Sequence, residues 1–190
     1  FAVPAADKET VRADWNIFTA AVEDEFHVTD TTMEFHLEST EATPVLPKDV
    51  SRRFILAIQG IDNGVFAMCQ DEAISWLVET SSNVASIITT DNEIAVVASH
   101  RSSVMSNLDN EANTVKAVFE LAGADITISD GYPAWKMNPD SKLTKVAVES
   151  YKKLFGKEPI VKGIHAGLEC GLFSERYPNL DMVSFGPTLR

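Results

Sequence analysis

The sequence predicts an α+β domain, built as an antiparallel sheet with helices on one face, followed by a partial α/β segment. Two observations lead to this prediction. Between residues 31 and 128 the periodicity changes in the order strand, helix, strands, helix, strand, which is typical of α+β sandwiches. Beyond residue 136 the order becomes helix, strand, helix, strand, which is typical of a parallel sheet.

The first elements follow from apolar spacing. Residues 8–26 predict an amphipathic helix with one apolar stripe, formed by Val11, Trp15, Phe18 and Val22. The segment 31–37 alternates polar and apolar residues, which predicts a half-buried strand. Pro47 suits the first turn of a second helix, whose apolar face carries Val50, Phe54, Ala57, Ile58 and Ile61.

Three strand-like runs come next, at residues 75–79, 84–89 and 93–99, with a hairpin turn predicted at Asp91-Asn92. A third helix is predicted to start at a cap formed by Asp109 or Asn110 and to end at Gly123. A short strand at 126–128 completes the predicted α+β part.

The composition changes at residues 131–135, Gly-Tyr-Pro-Ala-Trp, and we place a domain boundary there, dividing the chain into 1–130 and 131–190. Asp140 or Ser141 is the predicted cap of a helix that ends at Gly156. A strand at 160–164, a helix at 168–175 and a strand at 182–185 follow. This second part therefore resembles the end of an α/β domain whose earlier strands are missing.

Composition narrows the function classes. The 190 residues carry 16 basic and 28 acidic side chains, a net charge of −12, which disfavours nucleic acid and anionic membranes as partners. Cys69 and Cys170 form neither a disulfide framework nor a zinc-finger spacing, so reduced thiols in a cytoplasmic protein are expected. The sequence shows no membrane-spanning run and no signal peptide. Because the chain opens at Phe1 inside a strand-like run, we expect a piece of a longer protein or a processed one.

The densest cluster of chemically capable residues is Gly163-Ile-His-Ala-Gly-Leu-Glu-Cys-Gly171, where a predicted strand gives way to a helix. Ligands of open α/β sheets bind at such strand ends. One interpretation is metal binding by His165 and Glu169, set against an ordinary polar pair. A second is a nucleophile and base formed by Cys170 and His165, set against a cysteine packed as a small apolar group. The third is substrate binding by the glycine-rich turn and Glu169.

Arg101 ends the strand predicted at 93–99. Its planar guanidinium suits a carboxylate, and the ordinary alternative is a solvated charge at a strand end. The sequence contains no G-x-G-x-x-G, P-loop or G-x-S-x-G pattern, so nucleotide binding and the α/β-hydrolase chemistry have no support.

The run from Ile164 to Phe173, I-H-A-G-L-E-C-G-L-F, closely resembles a signature of the bacterial Xaa-His dipeptidases, the aminoacyl-histidine dipeptidases that cleave carnosine. M-V-S-F-G-P-T at 182–188 continues the resemblance at the right spacing. Upstream, V-E-T-S-S-N-V at 78–84 and G-Y-P-A-W at 131–135 are also similar to family segments. The resemblance is collinear over nearly the whole chain.

The resemblance implies a di-zinc peptidase with a ferredoxin-like lid inserted into its catalytic domain. Residues 1–130 would be the later part of the lid and dimerisation domain, and 131–190 part of the catalytic domain. The family's metal ligands, including an H-x-D motif, and its catalytic glutamate lie outside this chain, so it would hold no metal and be inactive alone. The resemblance carries over two substrate-binding residues, Arg101 for the carboxylate and Gly167. Assigning Glu169 and His165 to the same site is our inference.

The resulting hypothesis is part of a cytoplasmic, homodimeric metallodipeptidase that binds a dipeptide substrate and takes two zinc ions through residues outside this chain. Two other classes stay open. One is a non-catalytic binding or dimerisation module derived from the same fold. The other is a relative that has kept the fold and lost the chemistry.

Overall fold

A computed structural model describes residues 2–41, 44–129, 131–165 and 168–186. The chain divides into two compact units, Phe1–Ser51 and Arg52–Arg190. This division does not test the domain boundary that we predict at residue 131, so that boundary stays a prediction. Within the described ranges, no helix is both long enough and apolar enough to cross a bilayer.

The first unit is organised by helix α1 (Lys8–Phe26), which follows a short 3-10 turn and confirms the helix predicted at 8–26. The Trp15 ring lies edge-on to the Phe35 ring, with their centroids 6.4 Å apart. Residues 33, 35 and 37 are half-buried and their neighbours exposed, so the predicted alternation is present. The predicted strand at 31–37 is nevertheless wrong, because this extended segment packs by its side chains without a backbone ladder.

The second unit contains the sheet. Helix α2 (Lys48–Gly60), which begins directly after Pro47 as predicted, leads into strands β1 (Gly64–Met68), β2 (Val78–Thr89) and β3 (Ile94–Ser102). All neighbouring strands are antiparallel, in the order β1-β2-β3. The turn between β2 and β3 is closed by the Thr90 N–H, which donates to the Glu93 carbonyl over 2.9 Å. The predicted hairpin and antiparallel sheet are therefore confirmed.

Strand β2 corrects the prediction of two separate runs at 75–79 and 84–89. The residues between these runs, 80–83, are polar and pair with polar residues of β3. The Thr80 hydroxyl lies 2.9 Å from that of Ser102, and the Ser82 hydroxyl lies 2.9 Å from Nδ1 of His100. Because these buried groups satisfy one another, the strand continues through them. Strand β1 was not predicted at all.

The helices that follow are α3 (Met105–Leu121), α4 (Lys142–Phe155) and α5 (Glu169–Arg176). Helix α3 packs on β2 and β3 and ends at Gly123 as expected, but it starts before the predicted cap at 109 or 110. Helix α4 is capped by Ser141, whose hydroxyl accepts from the Thr144 N–H over 3.0 Å. Gly156 ends α4 in the left-handed conformation that favours glycine.

The strands predicted at 126–128, 160–164 and 182–185 are wrong for this chain. Among the residues that the structure describes, the sheet consists of β1, β2 and β3, and these three segments have no ladder partner. A parallel strand needs a neighbour delivered by a crossover connection, so periodicity alone does not make one. The buried apolar side chains of the described part are Ala57, Ile61, Ile74 and Val115, and Leu121, Ile160 and Phe185 are each more than four-fifths exposed.

Candidate substrate-binding site

The register of β2 against β3 sets the base of the site. Ser81 and Arg101 are direct cross-strand partners, so their side chains leave the sheet on the same face. The neighbouring pairs, Thr80 with Ser102 and Ser82 with His100, occupy the opposite face. Ser81 is half-buried, whereas Arg101 is exposed. One face of the hairpin therefore presents a hydroxyl and a guanidinium side by side.

His165 lies over this pair and contacts both strands. Its ring Nε2 is 2.7 Å from the Ser81 hydroxyl oxygen. Its backbone carbonyl accepts a hydrogen bond of 3.1 Å from Nη1 of Arg101. Two of the predicted site residues, Arg101 and His165, are thus in direct contact, although they are far apart in sequence. Ser81 was missed as a site residue, and its position opposite Arg101 in a predicted hairpin was the signal that could have found it.

The surroundings of His165 favour its neutral form. Partial burial of the ring lowers the pKa of His165, and the positive charge of Arg101 lowers it further. A hydrogen bond to the backbone of Val78 acts in the opposite direction. The lowered pKa therefore favours an uncharged ring beside Arg101 over a second positive charge.

Two glycines allow the segment that carries His165 to pack closely. A Cβ on Gly171 would collide with the backbone carbonyl oxygen of Pro133. A Cβ on Gly163 would come within 2.7 Å of Leu77 Cδ2 and 2.8 Å of Met137 Sδ. The contact at Gly171 is with backbone, so glycine is a steric requirement there, whereas the two side-chain ends at Gly163 could move aside from a Cβ. Close packing on both sides of His165 therefore accounts for the glycines at 163 and 171.

The other two predicted site residues, Glu169 and Gly167, are not joined to this cluster by any contact that the structure describes. Glu169 is the first residue of α5 and is exposed, a position in which a carboxylate interacts favourably with the helix dipole. In the described part of the chain, Glu169 makes no hydrogen bond or ion pair to Arg101 or His165. Gly167 lies outside the described residues. The site is thus defined by Ser81, Arg101 and His165.

The two alternative chemistries proposed for this cluster gain no support. Over the described ranges, no group of three or more His, Cys, Asp or Glu side chains is arranged to hold a metal ion. The described residues therefore do not fit a zinc centre. Cys170 is half-buried in α5, and Nε2 of His165, the base proposed for it, lies 2.7 Å from the Ser81 hydroxyl oxygen.

A separate cavity of about 260 Å³ lies nearby and includes none of the four predicted residues. Glu79 and Lys136 are among its lining residues. The Glu79 carboxylate accepts a hydrogen bond of 2.8 Å from the Asn107 side chain, so one of its oxygens is already engaged. We regard the Arg101 cluster as the better candidate site, because it is the place where cationic and hydrogen-bonding groups converge.

No family model matches the chain. The crystal structure of an aminoacylhistidine dipeptidase from Vibrio alginolyticus superposes on it with a TM-score of 0.84 and 37% sequence identity, covering 98% of this chain. The chain is homologous to a segment of that enzyme. The three-stranded antiparallel sheet and its helices therefore have a counterpart in that enzyme.

A second relative agrees with this assignment. The cytosol non-specific dipeptidase of Escherichia coli K12 is 38% identical over 136 residues, which is 72% of this chain. The chain covers 28% of that relative and 38% of the Vibrio enzyme, so it corresponds to a part of each. The resemblance found in the sequence motifs is confirmed by both comparisons.

Proposed function

We propose that the chain is part of a metallodipeptidase that hydrolyses Xaa-His dipeptides such as carnosine, and that it supplies substrate-binding residues. The observation that carries the proposal is the contact between Arg101 and His165, because it orients a cationic side chain next to the motif that most resembles the dipeptidases. Both relatives are dipeptidases, which supports a peptide-hydrolase function for the whole protein.

Arg101 is the residue suited to the substrate carboxylate. A guanidinium has five N–H donors in a fixed plane, and the His165 carbonyl accepts from one of them. The remaining donors of this exposed side chain are sufficient for two parallel hydrogen bonds to a carboxylate. Because the carbonyl already restrains the side chain, binding a substrate would cost less conformational entropy. A dipeptide held by its carboxylate presents its peptide bond at a fixed distance.

We also propose the arrangement of the whole protein. Residues 1–130 would form the later part of a ferredoxin-like lid and dimerisation domain, and 131–190 would belong to the catalytic domain. The protein would be a cytoplasmic homodimer. Zinc, which would supply Lewis-acid activation of the peptide carbonyl, would be held by residues outside this chain. His165, Gly167 and Glu169 would line the substrate site with Arg101.

The test is the replacement of Arg101 by alanine and by lysine in the complete protein, with kcat/KM measured on a His-terminated dipeptide. We expect a loss of roughly 100-fold for alanine, since one positioning contact is removed. The lysine variant should recover little of the lost kcat/KM, because lysine keeps the charge but not the planar pair of donors.

Arg52, an exposed arginine of α2, provides the matched control, and its alanine and lysine variants should retain the parent rate. Metal content and folding are checked for every variant. If both Arg101 variants stay within about threefold of the parent, Arg101 is an ordinary surface charge. The non-catalytic binding or dimerisation module then becomes the better hypothesis.

A further inference from the structure

Ser81 has no role in the proposal above, yet it makes the shortest side-chain contact of the site. It stands opposite Arg101 in the β2–β3 ladder and reaches His165 Nε2 over 2.7 Å. One residue, His165, is thereby bound to two neighbouring strands, through its ring to β2 and through its carbonyl to β3. If the ring contact is lost, the carbonyl that holds Arg101 loses its own support.

The Ser81 contact is compatible with both neutral forms of the imidazole. A neutral ring has one N–H donor and one acceptor nitrogen. A hydroxyl can donate or accept, so the Ser81 oxygen at 2.7 Å can accept from Nε2 or donate to it. The contact therefore holds the His165 ring whichever nitrogen carries the proton.

We propose that Ser81 is a positioning residue of the Arg101 site: its hydroxyl holds the His165 ring, and the His165 carbonyl in turn fixes the Arg101 guanidinium. The inference rests on the proposed function, because it assumes that Arg101 binds the substrate carboxylate. Ser81 itself touches no substrate. Its contribution is to keep Arg101 in one orientation before the dipeptide arrives, which lowers the entropy lost on binding.

The sharpest variants are Ser81→Thr and Ser81→Val, which have nearly the same shape and differ in the hydroxyl group. Both residues suit a strand, so packing and backbone preference are matched. We expect Ser81→Thr to keep the parent kinetics. Ser81→Val should lower kcat/KM on a His-terminated dipeptide roughly fivefold to tenfold, mainly by raising KM, as expected for the loss of one hydrogen bond. Ser99→Ala, an exposed serine of β3 two positions before Arg101, is the control and should behave as the parent.

A double-mutant cycle separates this role from a general effect on folding. If Ser81 acts through Arg101, then Ser81→Val should have little effect in an Arg101→Ala background, because the side chain that it positions is gone. A merely structural role would give the same loss in both backgrounds. Nitrogen-15 NMR of the histidine rings in the 190-residue chain gives a readout independent of activity: the Nε2 signal of His165 is expected to change in Ser81→Val and to stay close to the parent in Ser81→Thr.

The outcomes distinguish the two proposals. A large loss in the Arg101 variants with equal kinetics for Ser81→Thr and Ser81→Val would overturn the role of Ser81 and leave the carboxylate site intact. An additive cycle would overturn it as well. No loss in the Arg101 variants would overturn the proposed function and this inference together. An Nε2 signal of His165 that is the same in Ser81→Val and Ser81→Thr would contradict the ring contact and with it the proposal.

Discussion

Replacing Gly171 by alanine sets two effects of opposite sign against each other. Gly171 lies in the first turn of α5, and helix propensity alone favours alanine over glycine by about 1 kcal/mol. The new Cβ would, however, collide with the Pro133 carbonyl oxygen. Overpacking of this kind costs typically about 1–3 kcal/mol, and a backbone oxygen cannot rotate away as a side chain can. We therefore expect the clash to prevail.

The expected result is a net loss of up to about 2 kcal/mol in the free energy of unfolding, or a melting temperature lower by up to about 8 °C for a chain of this size. Gly60→Ala is the matched control, because Gly60 ends α2 and its Cβ would meet Val118 Cγ1 at an ordinary 3.5 Å. That variant should be neutral or more stable. Urea unfolding of the two variants beside the parent chain makes the comparison.

Gly163→Ala provides an intermediate case. Its Cβ would meet the ends of the Leu77 and Met137 side chains, which can change rotamer, so the loss should be smaller than for Gly171. If Gly171→Ala proves at least as stable as Gly60→Ala, the close approach to Pro133 is absent and the explanation of the glycine-rich motif is wrong.

Three further predictions concern charge and metal. NMR titration should give His165 a pKa below its ordinary value, and Arg101→Ala should raise it part of the way, because burial is the larger cause. Since the unfolded chain binds this proton more readily, protonation of His165 lowers the free energy of unfolding as pH falls from about 6.5 through the lowered pKa. A measured pKa of His165 at or above about 6.5 would contradict this prediction. Asp181 accepts a 2.9 Å hydrogen bond from the Leu143 N–H, and this bond and the Ser141 hydroxyl lower its pKa. The loss of unfolding free energy in Asp181→Asn, relative to the parent, should therefore be largest at neutral pH. An equally large loss at about pH 3 would show that the Asp181 charge does not contribute to stability. Elemental analysis of the dialysed chain should find no tightly bound pair of zinc ions. Two zinc ions retained per chain would contradict the prediction that the metal ligands lie outside this chain.

Sequence periodicity predicted the elements whose apolar faces are local. The helices at 8–26 and 48–60 and the β2–β3 hairpin were found because their apolar residues and turn residues lie within one short window. Strand β1 was missed because Gly64–Met68 is short, directly follows a turn and pairs irregularly with β2. The segments 160–164 and 182–185 have strand composition, but a ladder also needs a neighbouring strand, which local sequence does not supply.

The candidate site was predictable in its chemistry and not in its connections. The glycine-rich motif pointed to His165, and Arg101 was indicated by its position at a strand end and by the suitability of a guanidinium for a carboxylate. The sequence gives no sign that the His165 carbonyl, a backbone group that every residue has, would hold Arg101. Ser81 was one of several polar residues in β2, and it becomes distinct through the strand register and the position of His165.

The attachment of His165 to the hairpin also bears on how the chain folds. The contacts with Ser81 and Arg101 close segments of 84 and 64 residues, whereas β2 and β3 are joined by a tight turn. Contacts of low sequence separation form early. Closing a long segment costs chain entropy before the contacts that compensate for this cost have formed. We therefore expect the hairpin to form first and His165 to pack on it in a late step. Substitutions at this contact should mainly accelerate unfolding and leave the folding rate nearly unchanged.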